Sequence, residues 1–131
     1  MQVQNREQVP ANEVNMEGAT GCRVRWLIGE GDKAPNFAMR EFEVAPGGHT
    51  PRHFHDYEHE VYVLAGNGLV IDDNAERPLT QGDVVFVAPN DVHQFRNTGS
   101  ETMRFLCLIP NSATGRSVTV VPECGLEGPN K

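Results

Sequence analysis

A chain of 131 residues, 38% hydrophobic and 22% charged, has room for one domain built on one core. Eighteen acidic against eleven basic side chains leave a net charge of −7, which argues against a nucleic-acid or anionic-membrane surface as the working face. No apolar run approaches the ~20 residues that span a bilayer, and the first residues lack the apolar stretch of a secretory leader. Cys22, Cys107 and Cys124 are too widely and irregularly spaced for a CxxC pair or a disulfide framework, so the expectation is a cytoplasmic protein in a reducing compartment.

Residues 1–20 are polar, with Val9 and Val14 as apolar anchors, and are read as an edge strand or an arm onto a partner subunit. From Cys22 the pattern alternates. CRVRWLIG and NFAMREFEV read as strands, the second with Phe37, Met39 and Glu41 on one face and Ala38, Arg40 and Phe42 on the other. A turn is expected at Pro46-Gly47-Gly48, then a hairpin of EVYVLAG and GLVID around Gly66-Asn67-Gly68. QGDVVFVAP reads as a turn and a nearly all-apolar strand, followed by HQFRN, by ETMRFLCLIP ending at Pro110, and by a last strand in RSVTVVP. No stretch sustains a helical period. Thirteen glycines and nine prolines spread along the chain suit short strands and tight turns, so the expected fold is all-β, a single antiparallel jelly-roll barrel. The barrel is placed at 21–121, after the arm at 1–20 and before a loose tail at 122–131.

Four of the five histidines fall between His49 and His59, and the fifth is His93. His53 and His55 are two apart, which on a strand puts both imidazoles on one face. His59 follows the short turn DYE, and its alternation groups it with Val61 and Val63, leaving Glu60 with Tyr62 on the opposite face. His93 shares a face with Phe95 and Asn97. A neutral imidazole set suits Mn, Fe, Ni, Cu or Zn rather than Ca or Mg, and without a nearby thiolate it is a poor structural zinc finger. His49, in the turn GGHT, is read as an ordinary polar residue.

Residues 47–66 resemble the first cupin motif: Gly47, five residues, His53-x-His55, and Gly66 at the close, with His59 where glutamate is usual. Residues 82–97 resemble the second, through Gly82, His93 and Asn97, with Ala88 in place of its proline and Asn90 in place of its glycine. Asparagine tolerates the left-handed turn conformation, so that turn is expected to survive. LIGEGDKAPNFAMR, RHFHDYEHEVYVLAG and FRN…FLCLIP are similar to the small manganese-binding monocupins with a four-histidine site, over roughly residues 20–110. The resemblance implies a jelly-roll homodimer with His53, His55, His59 and His93 as ligands to one divalent transition metal per chain. Manganese comes first and Fe, Cu, Ni or Zn are alternatives. It implies two adjacent open positions on the metal, facing a pocket, and Cys107 lining that cavity.

Six-coordination on four neutral ligands leaves the metal its full charge for an anionic oxygen donor such as an enolate, catecholate or carboxylate. The function expected is a metal-dependent dioxygenase or oxidative-cleavage enzyme. The alternatives are a non-catalytic module for a small acid or sugar and a metal-dependent isomerase or lyase. No catalytic residue is assigned; Tyr57 and Glu58 are loose candidates for a base. Phe95, Phe105, Cys107 and Ile109 are candidate pocket walls, Cys107 being equally readable as a buried small hydrophobe. Trp26 is read as packing or dimer contact, and Arg40 as a solvent-facing strand arginine, with anion binding as the alternative.

Overall fold

The structure, a computed structural model, describes residues 1–73, 75–113 and 118–121. In chain order the strands are β1 (Asn12–Glu13), β2 (Thr20–Ile28), β3 (Phe37–His49), β4 (His53–Phe54), β5 (His59–Ala65), β6 (Asn67–Ile71), β7 (Glu76–Thr80), β8 (Val84–Val87), β9 (Gln94–Asn97), β10 (Met103–Pro110) and β11 (Thr119–Val120). All pair antiparallel. One curled sheet runs β7-β6-β9-β3-β10-β5-β8, with β2 added to β3 and β1 to β2, and β11 pairs β4 apart from it. The all-β antiparallel barrel architecture expected from the sequence is what the chain forms.

The long strand β3 joins the two halves of the curl. Its first part lies between β2 and β10, while His49 at its end faces Arg96 of β9. The turn expected at Pro46-Gly47-Gly48 is instead a bulge inside β3. Gly47 takes φ +80° there, and β2 loses register between Thr20 and Cys22. The expected hairpin around Gly66 is also absent: β5 pairs with β10 and β8, while β6 pairs with β7 and β9. Gly66, at φ +90°, carries the chain from one half to the other so close to β10 that a Cβ would sit 2.8 Å from the Met103 Cα.

The true hairpin partner of β6 is β7, whose sequence ERPLT carries two charges and a proline and gives no strand signal. As an edge strand it tolerates Pro78. The apolar β8 closes the other end of the sheet and keeps much of its apolar surface outside, with Val84 72% and Phe86 64% exposed. Of the last expected strand, the described part forms β11. The tail at 122–131, with Cys124, lies outside the described residues.

Alternation places the core. On β10 Met103, Phe105, Cys107 and Ile109 point inward, and on β5 His59, Val61 and Val63 do so. Each fully buried large apolar side chain contributes about 1.5–3 kcal/mol. The outer face of β3 is unusual. Glu41 is buried there, taking bonds from Arg6 Nε and Nη2 at 2.7 and 2.9 Å and from Arg104 Nη1 at 3.1 Å. Glu43 takes Arg6 at 3.0 Å and also Arg25. Arg25 Nε donates to the Val9 carbonyl at 3.0 Å. The N-terminal segment is thereby tied to the outside of the sheet. Burial pushes the Glu41 carboxyl up, and the two arginines outweigh it, so it sits below the usual carboxylate range.

Candidate metal centre

The two histidine-bearing stretches meet as backbone first. His53 and His93 form an antiparallel bridge, each N–H donating to the other's carbonyl at 3.1 and 3.0 Å. Asn90 takes φ +69°, the left-handed turn expected at this position, and its N–H donates 2.7 Å to the His55 carbonyl. Asn97 secures the far end. Its Nδ2 donates to the carbonyls of Val44 (2.8 Å) and Glu101 (2.7 Å), and its Oδ1 accepts from Gly99 N–H at 2.8 Å.

On this frame the imidazoles crowd together. Ring centroids of His53 and His93 lie 4.4 Å apart, of His55 and His59 4.3 Å, and of His55 and His93 5.0 Å. Donor atoms of His53, His55 and His93 all fall within 4.8 Å of one another, so these three can hold a metal ion. His59 packs against the trio at His55, but its donor atoms do not all fall within the same 4.8 Å of the other three.

Each ring of the trio is oriented from behind. Nδ1–H donates to a carbonyl two residues away: His53 to Pro51, His55 to Tyr57 and His93 to Asp91, all at 2.8 Å. That bond fixes the tautomer that leaves Nε2 bare. For His59 the atom behind Nδ1 is the Cys107 sulfur, 3.3 Å away. The Nε2 atoms of His55, His59 and His93 are buried and have no hydrogen-bond partner. Buried polar atoms are normally satisfied, and three orphans in one place are the fit expected of ligand atoms.

The electrostatics agree. Burial, with the neighbouring rings and the Arg40 charge adding to it, pushes His53 down to about 4 and His93 to about 3. His55 and His59 move in the same direction, burial again leading. The imidazoles are therefore neutral at ordinary pH, the form that coordinates metal.

The cluster opens into a cavity of about 250 Å³. Phe95, Phe105 and Cys107 line it. Ile109 shares their face of β10, but at the strand's end it sits opposite Ala38 in the core rather than on the cavity wall. Tyr57 lines the cavity and stacks on His55 at 4.0 Å. Glu58 and Glu60 are exposed and contribute nothing to the wall.

One sequence reading, that of Arg40, is corrected. Trp26 lies on the cavity wall at its exposed edge, and Arg40 points into the cavity rather than to solvent. Both follow from the same fact: the inward face of β3 is the one carrying Ala38, Arg40 and Phe42, and the inward face of β2 carries Cys22, Val24 and Trp26. Val14 and Met16, from the N-terminal stretch, complete the wall and gave no signal in the sequence beyond being apolar.

A model of the Cupin domain matches residues 40–109, more than half of the chain. The chain is 32% identical over 114 residues to an oxalate-binding protein of Thermotoga maritima, covering 83% of this chain and 93% of that one. It is 35% identical over 71 residues to 1-methylthio-D-xylulose 5-phosphate methylsulfurylase of Rhodospirillum rubrum, 54% of this chain and 46% of that one. Among solved structures, the polyketide cyclase RemF of Streptomyces resistomycificus superposes with a TM-score of 0.85 at 34% identity, over 92% of this chain and 85% of that one. A predicted oxalate decarboxylase of Thermotoga maritima gives 0.74 at 26% identity, over 83% and 98%. The histidine-bearing motifs at 47–66 and 82–97, the curled antiparallel sheet and these matches agree, and the chain belongs to the cupin family.

Proposed function

We propose that this cupin is a metal-dependent enzyme in which His53, His55, His59 and His93 hold one divalent transition metal. Its substrate in this reading is a small, largely apolar molecule presenting an anionic oxygen, and its reaction an oxidative cleavage. The observation that carries the reading is the set of orphaned Nε2 atoms facing an apolar cavity with no carboxylate among its described lining residues. Manganese is the first candidate; the all-imidazole donor set also accepts Fe, Ni, Cu and Zn.

A bound metal of this kind supplies Lewis acidity and, where redox-active, access of dioxygen to the substrate. The chain does the rest. Pro51, Tyr57 and Asp91 carbonyls hold the rings in register. Phe95 and Phe105 keep water from the reacting end. With no carboxylate among the described wall residues, the substrate enters already as its enolate or catecholate. In a dioxygenase both oxygen atoms end in the products as a carbon–carbon bond breaks, so no external reductant is required.

The likeness to a polyketide cyclase favours a second, redox-neutral reading in which the same centre closes a ring or moves a double bond. The oxalate-binding relative favours a third, a site that captures a small acid without turnover. Metal analysis of wild type and His59→Ala, followed by a panel of enols and catechols assayed with and without oxygen, separates them. Oxygen-dependent turnover supports the first reading, and oxygen-independent turnover the second. Ligand recovered unchanged supports the third. No metal after reconstitution with Mn, Fe, Ni, Cu or Zn overturns all three.

The outer face of β5 and β8 carries exposed Tyr62, Val84 and Phe86, with Val84 opposite Tyr62. This is the surface we assign to a homodimer contact. Phe86→Glu is expected to shift the sedimentation coefficient to that of a monomer, and an unchanged value would refute the assignment.

A further inference from the structure

Charge is distributed oddly across β3. On its outer face Glu41 and Glu43 are matched by Arg6, Arg25 and Arg104 in one closed cluster. On its inner face, one residue along, Arg40 stands without an acid among the described residues. Among the described residues it is the only formally charged side chain lining the cavity, whose other polar groups are imidazoles, a hydroxyl from Thr50, the Tyr57 phenol and thiols. The Nη2 atom donates to the Cys107 sulfur at 3.0 Å, while Nε is buried and has no partner. The guanidinium lies over the rings of Phe42 and Trp26, at 4.9 and 5.4 Å.

Among the described residues this half-buried cation is held by a thiol and two ring faces and has no anion to offset its desolvation. A guanidinium offers five donors in a plane, and the partner that matches that plane is a carboxylate taking two parallel bonds. The neighbouring wall is aromatic and continuous. Phe42 stacks on Phe105 at 5.4 Å and 18°, and Phe105 on Phe95 at 4.9 Å and 30°. Such a floor suits a flat body. The cavity, about 250 Å³, falls below the ~300–1,000 Å³ of sites for drug-sized ligands.

We infer that Arg40 is the specificity-determining residue of this site and that the substrate is a small unsaturated carboxylate, its carboxylate on Arg40 and its planar body on the phenylalanine floor. This deepens the enzymatic reading above by naming the substrate class, and it rests on that reading only for what happens at the histidine end.

The test uses benzoate and its neutral counterpart benzyl alcohol, read by the fluorescence of Trp26, the sole tryptophan. Metal-free and zinc-loaded protein are both titrated near neutral pH. Wild type is expected to bind benzoate at least tenfold more tightly than benzyl alcohol. Arg40→Gln is expected to erase that preference while still binding benzyl alcohol, which reports an intact cavity. Arg40→Lys, which keeps the charge but not the fork, is expected to recover part of it. Equal affinity of wild type for the two probes, silence toward both, or a preference that survives in Arg40→Gln would overturn the inference. Should Arg40→Gln not fold, the wild-type comparison decides alone. Arg40-dependent benzoate binding in a protein that never turns over any substrate refutes the enzymatic reading and leaves this one standing. Turnover of neutral catechols that Arg40→Gln leaves untouched does the reverse.

Discussion

Without a metal the fold should be sensitive to mild acid. The window is shared with the exposed Glu60 carboxyl, which its bond to Glu58 raises to about 7 and whose contribution, opposite in sign, is screened by solvent. Burial holds His53 at about 4 and His93 at about 3, whereas an unfolded histidine titrates near 6.5. The unfolded chain therefore binds protons first. Stability is fully present above about pH 6.5 and is lost as pH falls through the window toward the folded values. Going from about pH 7.5 to about pH 5, each of these two histidines removes about 2 kcal/mol. For a domain of this size about 1 kcal/mol corresponds to roughly 4 °C, so the two together lower the midpoint by about 15 °C. His55 and His59, depressed in the same direction, add to the fall. Thermal unfolding of chelator-treated protein, followed by circular dichroism across this pH range, measures it. A His53→Phe/His93→Phe double variant should show a much flatter profile. A saturating metal should raise the midpoint at neutral pH and steepen its acid limb, because the bound form excludes the same protons. If the metal-free midpoint moves by only a few degrees between the two pH values, the imidazoles are not desolvated as argued.

Cys107→Ala removes the sulfur behind His59 Nδ1. It should weaken metal binding by about tenfold, the usual effect of losing an orienting partner, measured by competition with a chelator. Glu41→Gln takes the shared carboxylate from Arg6 and Arg104. Both arginines reach solvent, so the expected loss is about 2 kcal/mol by urea titration, with the metal site unchanged. Asn97→Ala leaves the Val44 and Glu101 carbonyls and the Gly99 N–H without their partner, for a loss of about 3 kcal/mol. A neutral result there would mean that water replaces the side chain.

The alternation in NFAMREFEV separated the two faces of β3 correctly but could not say which one is inside. Phe37 and Met39 made the wrong face look apolar, and Arg40 made the right one look wet. What decides it is long-range: Glu41 can be buried outside because Arg6 and Arg104, far off in sequence, meet it there. Histidine spacing was more informative. A period of two puts His53 and His55 together whatever the rest of the sheet does, and His59 kept to the same side as Val61 and Val63. Strand pairing was legible only where turn chemistry was plain. At Gly66 the glycine signals a sharp change of direction, and a change of direction serves a hairpin and a crossing between sheet halves equally well. Strand β7 stayed hidden because an edge strand need not look apolar.

The backbone bridge between His53 and His93 also bears on how a metal would enter folding. Joining two points about 40 residues apart carries a loop-closure entropy that rises slowly with length. In small metal-nucleated domains the ion itself brings such points together, and much of its binding free energy goes into ordering the chain. Here the N–H and carbonyl groups of the two histidines do that work by pairing with each other. An ion arriving afterwards meets rings already spaced and already turned. Its capture should then behave as binding to a rigid chelator, fast and without a folding phase, and its exchange should leave the barrel standing.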